Sequence, residues 1–399
     1  MGPHWKRLLL AGLGCLHAGT AAAADWNSAT ETVIRDVCII GGGASGTYAA
    51  VRLRDAGKTV AVVEKEAVLG GHTNTYNFFT RLGVRFKKAA SLTRPGAKLV
   101  DFRTGQQLAN FTLPDPTAAL AAYGAQLAKF PKLEEGFFLP DPGLGDILRQ
   151  ATLYVFKNFG LGSLQGLQTG FLDTVSQDNH EIYDRALDAL GPCNVFLSSR
   201  VLATDRSCAP DHVRVLIQTP AGNKIIQAKK LLVAIPQKPE NLAGFDLDAT
   251  EQALFSSFRN SAYYTALVRG TGLPPNTTVT NLTADTPFHL PPLPGIYRIT
   301  RPRPFELPVA TVKAHIISSI RRLVASGIPT ATPEPEIVAF NSHTPFELTV
   351  PVEIRSRFYR DLYALQGRRN TFYTGAAFHT HLSALLWQFT ERVVQQMLA

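Results

Sequence analysis

Apolar positions along this chain first group into two short runs, within Asp36-Val-Cys-Ile-Ile40 and Thr59-Val-Ala-Val-Val-Glu64. Each has the length and β-branched content of a strand. Between them Tyr48, Val51 and Leu53 recur at helical spacing, and Gly57 stands where such a helix would stop. Farther on, Asn194-Val-Phe-Leu197, Val213-Arg-Val-Leu-Ile217, Lys224-Ile-Ile226 and Leu231-Leu-Val-Ala-Ile235 alternate or run apolar, with Pro220-Ala-Gly222-Asn223 placed as a hairpin turn. Nine prolines between Pro274 and Pro308 exclude long helices and predict irregular or edge structure. A helix is predicted from about Val312 to Ala325. At the end of the chain Asn370-Thr-Phe-Tyr-Thr374 reads as a strand and Gly375-Ala-Ala377 as a small-residue turn. The next helix is expected to start near Ala376, with Leu382, Leu385, Leu386, Phe389, Val393 and Met397 on one face.

The turn between the first strand and helix is Gly41-Gly-Gly43-Ala-Ser-Gly46. Gly41 permits a tight turn, Gly43 lets backbone approach a pyrophosphate, and Gly46 removes the side chain that would hold the helix off the sheet. The helix then offers unpaired amides and a positive dipole end to phosphate. Glu64 closes the second strand eighteen residues after Gly46, where a carboxylate binds ribose hydroxyls and disfavours a 2′-phosphate. A dinucleotide cofactor follows, and NADP is the least favoured form. Gly70-Gly71-His72 on the next loop implies a second close backbone approach. The C-terminal strand, Gly375 turn and helix repeat the geometry of an anion- or dipole-binding corner.

At the other end, Lys6 and Arg7 precede the apolar stretch Leu8 to Leu16, and Ala21 to Ala24 supply small residues for cleavage. Residues 1–24 are read as a secretory signal peptide. The stretch is far shorter than the ~20 apolar residues of a membrane span, and no integral span is expected. Sequons at Asn110, Asn276 and Asn281 fit a glycoprotein secreted or luminal after cleavage. Removing the leader lowers the formal charge from +9 to +7. The basic excess is spread in pairs such as Lys87-Lys88 and Arg368-Arg369, without a basic run or aromatic interleaving, so a nucleic-acid partner is not indicated. Cys38 reads as a packed side chain, while Cys193 and Cys208 are candidates to pair. No Cys/His spacing suggests a metal.

Taken in order, Gly41 to Gly46 with Glu64, Gly70-Gly71, Val-Ala-Ile-Pro236 and Tyr373-Thr-Gly375 resemble the flavin amine oxidase superfamily. Gly375-Ala-Ala-Phe-His-Thr-His381 with Leu386-Trp387, and Tyr263-Tyr-Thr-Ala-Leu-Val-Arg269 with Thr271-Gly-Leu-Pro274, are similar to the β-cyclopiazonate dehydrogenase family. The resemblance implies an α+β fold in which a Rossmann-type FAD/NAD(P)-binding domain (25–77, 185–240 and 365–399) interleaves with a substrate domain (78–184 and 241–364). It implies FAD with its adenine edge near Arg200-Val201 and its isoalloxazine near Gly375. The implied activity is two-electron dehydrogenation, with or without oxidative ring closure, of a hydrophobic fungal metabolite such as a terpenoid, diterpenoid pyrone or prenylated indole. His379 and His381 are the candidate catalytic residues. His72, Tyr263, Tyr264 and His343 are further candidates at the ring or the substrate wall. Tyr76-Asn-Phe-Phe79 runs directly toward Arg81-Leu-Gly-Val84, so the chain is read as shortened after Asn77 and again near Leu139 to Gly145. The alternatives are an amine oxidase or a truncated flavin-binding protein without turnover.

Overall fold

The structure is a computed structural model that describes residues 24–70, 76–88, 98–108, 115, 117–129, 135–137, 172–207, 209–273, 277–281, 289–290, 292–293, 296–303, 306–328, 334–350 and 355–399. Gly71, His72, Asn110, Asn276, Cys208, the Leu139–Gly145 segment and nearly all of the leader lie outside the described residues.

The strands, numbered in chain order, form two large sheets and one small one. The first sheet takes β1 (Ala29–Ile40), β2 (Val60–Val63), β6 (Val195–Phe196), β7 (Arg200–Asp205), β8 (Val213–Thr219), β9 (Gly222–Val233) and β16 (Thr371–Tyr373). Its order is β6-β2-β1-β9-β8-β7, with β16 also on β9. Strands β6, β2, β1, β9 and β16 run parallel, while β7, β8 and the first half of β9 form an antiparallel meander. Lys224–Ile226 and Leu231–Val233 are thus one continuous strand: its first half pairs with β8 and its second with β16. The hairpin turn falls where expected, with Thr219 opposite Gly222 and φ +110° at Gly222.

Residues 37–40, 60–63 and 231–233 are buried at every position, as in parallel strands covered on both faces. Helix α1 (Ala44–Asp55) packs against α4 (Glu181–Leu190) and α8 (Ser383–Leu398). Trp387 of α8 donates from Nε1 to the Ala44 carbonyl at 2.9 Å and stacks on Tyr48, while Glu391 binds Tyr48 and Arg52. The start of α1 is therefore held from two sides. The same core takes Phe78 and Phe79 of α2 (Tyr76–Arg81), Leu127 of α3 (Thr117–Leu127), Phe255 of α5 (Ala249–Ser256) and Phe358 and Leu362 of α7 (Arg355–Tyr363). All of these lie in segments assigned from the sequence to the other domain.

The second sheet takes β4 (Lys98–Val100), β10 (Arg259–Arg269), β11 (Val279–Asn281), β12 (His289–Leu290), β13 (Pro292–Leu293), β14 (Ile296–Arg303) and β15 (Glu336–Thr349). The proline-rich region is less irregular than expected, because β14 lies inside this sheet between β10 and β12. Ala262, Tyr264, Ala266 and Val268 face a core shared with Val312, Ile316, Ile320 and Leu323 of α6 (Val309–Ala325). The alternate residues Tyr263, Thr265 and Leu267 are half-buried. Strands β3 (Phe86–Lys88) and β5 (Leu172–Thr174) pair separately. No helix among the described residues is long and apolar enough to cross a membrane.

One buried ionic network joins segments far apart in sequence. Arg206, at the end of β7, reaches Glu251 through Nη1 at 2.7 Å and Nη2 at 2.9 Å, Asp246 through Nε at 2.7 Å, and the Tyr373 hydroxyl at 3.0 Å. Arg369 adds a second guanidinium to Asp246. Burial alone would raise the pKa of both carboxyls, but hydrogen bonds from Arg206, joined by Tyr373 at Glu251 and Thr204 at Asp246, more than offset it and leave both below the ordinary range. Their contribution to stability is present above the unfolded carboxylate range of about pH 4 and is lost as the pH falls through the lower folded values. Arg206→Met is expected to cost about 3 kcal/mol, because Glu251 loses its two-pronged partner and both carboxylates are left to Arg369 and the Tyr373 hydroxyl. Urea unfolding at pH 7 measures this cost. The same series carried down to pH 3 should show the gap between variant and wild type narrowing as the two carboxyls protonate.

Candidate functional site

Three strand ends meet at one point. The Gly41 amide closes onto the Val63 carbonyl at 2.8 Å, and the Ala234 amide onto the Ile40 carbonyl at 2.8 Å. Gly41 has φ +101°, and a Cβ there would lie 2.7 Å from Ile235 Cγ2. A Cβ on Gly46 would lie 1.8 Å from the Gly41 carbonyl oxygen, so α1 rests directly on the turn below it. Gly43 differs from both: the nearest atom to its Cβ position is the Gly70 carbonyl oxygen at 3.5 Å. No other described residue comes within 4 Å on that side, which lies beside a helix start with no acidic residue in its first turn. This combination suits a pyrophosphate.

Glu64 is half-buried and already engaged. Its Oε2 accepts from the Gly42 amide at 2.6 Å and its Oε1 from the Glu66 amide at 2.9 Å. The carboxylate therefore holds the glycine turn, a role the sequence reading did not include. A carboxylate has about four acceptor positions, so ribose hydroxyls still find room on it. The Gly70 amide donates to the Gly42 carbonyl at 3.1 Å, bringing the second glycine loop onto the first. The Ser198 and Ser199 amides donate at 2.8 Å to the Glu66 and Glu64 carbonyls, which sets Val201 of β7 beside the Glu64 end of the site.

At the other end, the Thr374 amide donates to the Val233 carbonyl at 3.0 Å, and Gly375 turns away with φ +107°. Its Cβ position is 3.5 Å from the Ala234 carbonyl oxygen and otherwise clear of close neighbours. The structure corrects the expected helix start: α8 begins at Ser383, and residues 375–382 form a turn closed by the Phe378 and His379 amides on the Gly375 carbonyl. Small residues permit this turn, Phe378 stacks on Tyr373, and the Tyr363 hydroxyl binds the Phe378 carbonyl at 2.7 Å. The amide dipoles of α8 consequently begin seven residues later than Ala376.

His379 and His381 therefore precede the helix and diverge. His379 is fully buried against Phe137 and Phe389. His381 is half-buried and lies 4.4 Å, ring to ring, from Phe346 of β15. Phe346 stacks on Tyr263 at 5.0 Å, and Tyr263 approaches His343 at 5.7 Å. This aromatic file leads from the Gly375 turn to a cavity of about 470 Å³ lined by residues 265–267 of β10 with Ala339, Phe340, Asn341 and His343 of β15. Tyr264 points into the α6 core and hydrogen-bonds Leu307, so of the tyrosine pair only Tyr263 is on the cavity side. Asn281 is also corrected: it is 2% exposed and its Oδ1 accepts from the Phe102 amide, leaving no place for a glycan in the fold. Sequence reading also missed Gln237, whose buried amide joins the Val233 and Thr374 carbonyls. Only its position just after Pro236 hinted at a turn.

Comparison with known proteins bears on the domain, the family and the fold. Residues 39–102 match the NAD(P)-binding Rossmann-like domain. The chain is 35% identical to the FAD-dependent oxidoreductase oblC of Cochliobolus heterostrophus over 477 residues, covering 96% of this chain and 97% of that one. It is 33% identical to beta-cyclopiazonate dehydrogenase of Aspergillus oryzae over 452 residues, covering 96% and 98%. Both matched lengths exceed the 399 residues of this chain, so these relatives carry positions that it lacks. Among solved structures, a fatty acid isomerase from P. acnes superimposes with a TM-score of 0.70 at 15% identity, covering 91% of this chain and 98% of that one. Cyclohexylamine oxidase from Brevibacterium oxydans gives 0.59 at 15%, covering 92% and 100%. These two likenesses concern the fold.

Two glycine substitutions separate holding the fold from holding the cofactor. Gly43→Ala meets only an ordinary contact, so the chain should fold while bound flavin falls at least about tenfold as the methyl enters the phosphate space. Gly46→Ala meets backbone and should give insoluble or markedly destabilised protein. Flavin absorbance per mole of soluble protein, with circular dichroism alongside, measures both; full flavin content in Gly43→Ala would remove Gly43 from the cradle.

Proposed function

Because this chain belongs to the family of fungal FAD-dependent oxidoreductases that includes beta-cyclopiazonate dehydrogenase, we propose that it dehydrogenates a hydrophobic fungal secondary metabolite, with or without ring closure. Terpenoids, diterpenoid pyrones and prenylated indoles are the skeletons to test first. FAD, when bound, supplies the two-electron acceptor. In this reading Gly43 faces its pyrophosphate on the turn that Gly41 and Gly46 shape, Glu64 and Val201 hold its adenosine half, and Gly375 leaves room for its ring.

The observation that supports this substrate class best is the cavity beside the aromatic file. Its lining is mostly apolar, and among the described residues it includes no carboxylate. An ammonium group is held best where a carboxylate faces it, so the lining favours a neutral skeleton over the amine of an amine oxidase. His381 stands between the Gly375 turn and Phe346 and is proposed to take the proton released as the substrate gives up its hydride. His379, enclosed by Phe137 and Phe389, is assigned to packing. The leader read at residues 1–24 and the sequons at Asn110 and Asn276 support a secretory-pathway location as part of the same proposal; the N-terminal residue of the mature protein tests it.

Anaerobic mixing of the holoenzyme with candidate metabolites should bleach the flavin absorbance for one skeleton class and not for amines. His381→Phe keeps the stacking on Phe346 and should slow that bleaching about 100-fold, the lower range for loss of a positioned base, with flavin content unchanged. His379→Phe should change thermal stability more than rate. Bleaching by amines alone would reverse the substrate assignment, and a flavin that no candidate reduces would favour a binding protein without turnover.

A further inference from the structure

Gln237 is completely buried just beyond the end of β9. Its Nε2 donates to the Val233 carbonyl at 3.1 Å and to the Thr374 carbonyl at 2.9 Å. One side chain thus spans the carboxyl ends of β9 and β16 at the residue preceding Gly375. The orientation of the amide is dictated by its surroundings, because both partners are acceptors and the nitrogen must face them. The other half of the same amide, Oε1, is buried and has no hydrogen-bond partner among the described residues. A buried carbonyl oxygen without a donor is costly, and native proteins keep few of them.

The position of Gln237 supplies the reason for keeping it. The carboxyl ends of β1, β9 and β16 form the crevice in which a ligand of this fold lies. Of the groups that FAD brings there, the phosphate oxygens only accept, whereas the ring imide N–H and the ribityl hydroxyls donate. We propose that Gln237 is a positioning residue of the FAD site: its nitrogen fixes the Gly375 turn, and its oxygen accepts a hydrogen bond from an N–H or O–H group in the flavin half of the cofactor. The protein keeps an acceptor that only the loaded site completes. This inference rests on FAD binding and not on the substrate, so it stands or falls independently of which metabolite is oxidised.

The test compares FAD with ADP, which carries the adenosine and phosphates but no flavin half. Full-length protein is stripped of flavin, and wild type, Gln237→Leu and Gln237→Met are titrated with each ligand. Both variants should bind FAD about tenfold more weakly, the effect of one lost hydrogen bond, and bind ADP as wild type does. Equal weakening of FAD and ADP would mean that Gln237 only supports the sheet; unchanged FAD affinity would mean that Oε1 meets no cofactor donor. Either result overturns the proposal. Should neither variant fold, hydrogen exchange in the wild type decides it. Exchange at residues 374–377 should slow on adding FAD and stay unchanged with ADP, and equal slowing by the two ligands would again overturn it.

Discussion

Backbone resting on backbone at the ends of β1, β9 and β16 is the constraint on which the rest of the molecule depends. Gly46 sits on the Gly41 carbonyl and Ile235 sits on Gly41, so no methyl group fits at either glycine. That closeness brings the first amides of α1 to the mouth of the crevice and leaves Gly43, among the described residues, with only the Gly70 carbonyl near its Cβ position. The cofactor site is therefore a by-product of how tightly the helix lies on the sheet. Its fixed dipoles are already oriented before a ligand arrives.

Holding that point in place requires chain from well beyond it. Trp387 and Glu391 of α8 grip the start of α1, Gln237 joins β9 to β16, and Arg206 joins β7 to Glu251 and Tyr373. Tyr373 ends β16 and Thr374 follows it, so the ionic network and the amide clamp both bear on the carboxyl end of that strand, just before Gly375. A buried ion pair is weak evidence for stability in itself. Here its consequence is geometric: the parallel strand β16 has only three residues, and side chains supply the restraint that a longer ladder would.

The second sheet divides its two faces between two tasks. Ala262, Tyr264, Ala266 and Val268 pack on α6, while Thr265 and Leu267 of the alternate face line the cavity, which Ala266 also touches, and Tyr263 stacks on Phe346. Alternation along β10 was visible in the sequence only as an apolar, aromatic-rich segment, because Tyr263 and Tyr264 are the same residue type on opposite faces. Which tyrosine met the cavity depended on register with β15, where Tyr263 pairs with His343. The expected helix start at Ala376 failed for a related reason. Helical periodicity among Leu382, Leu385 and Phe389 identifies a helix face, yet Gly375-Ala-Ala377 fits a turn as easily as a first helical turn, and packing of Phe378 on Tyr373 selects the turn.

By itself the sequence determined the β1-turn-α1-β2 unit, its dinucleotide chemistry and the hairpin at Gly222. Every interaction that defines those elements is made within a few tens of residues, where glycine placement and apolar period act directly. Only the tertiary structure decided that Glu64 holds the Gly42 amide, that Asn281 is enclosed, that His379 and His381 part company, and that Arg206 and Gln237 matter. Except for Glu64 and Gly42, these outcomes rest on partners far along the chain or on which face of an element meets the core. A linear pattern records the type of a residue and its period but not the side chain that folding brings against it.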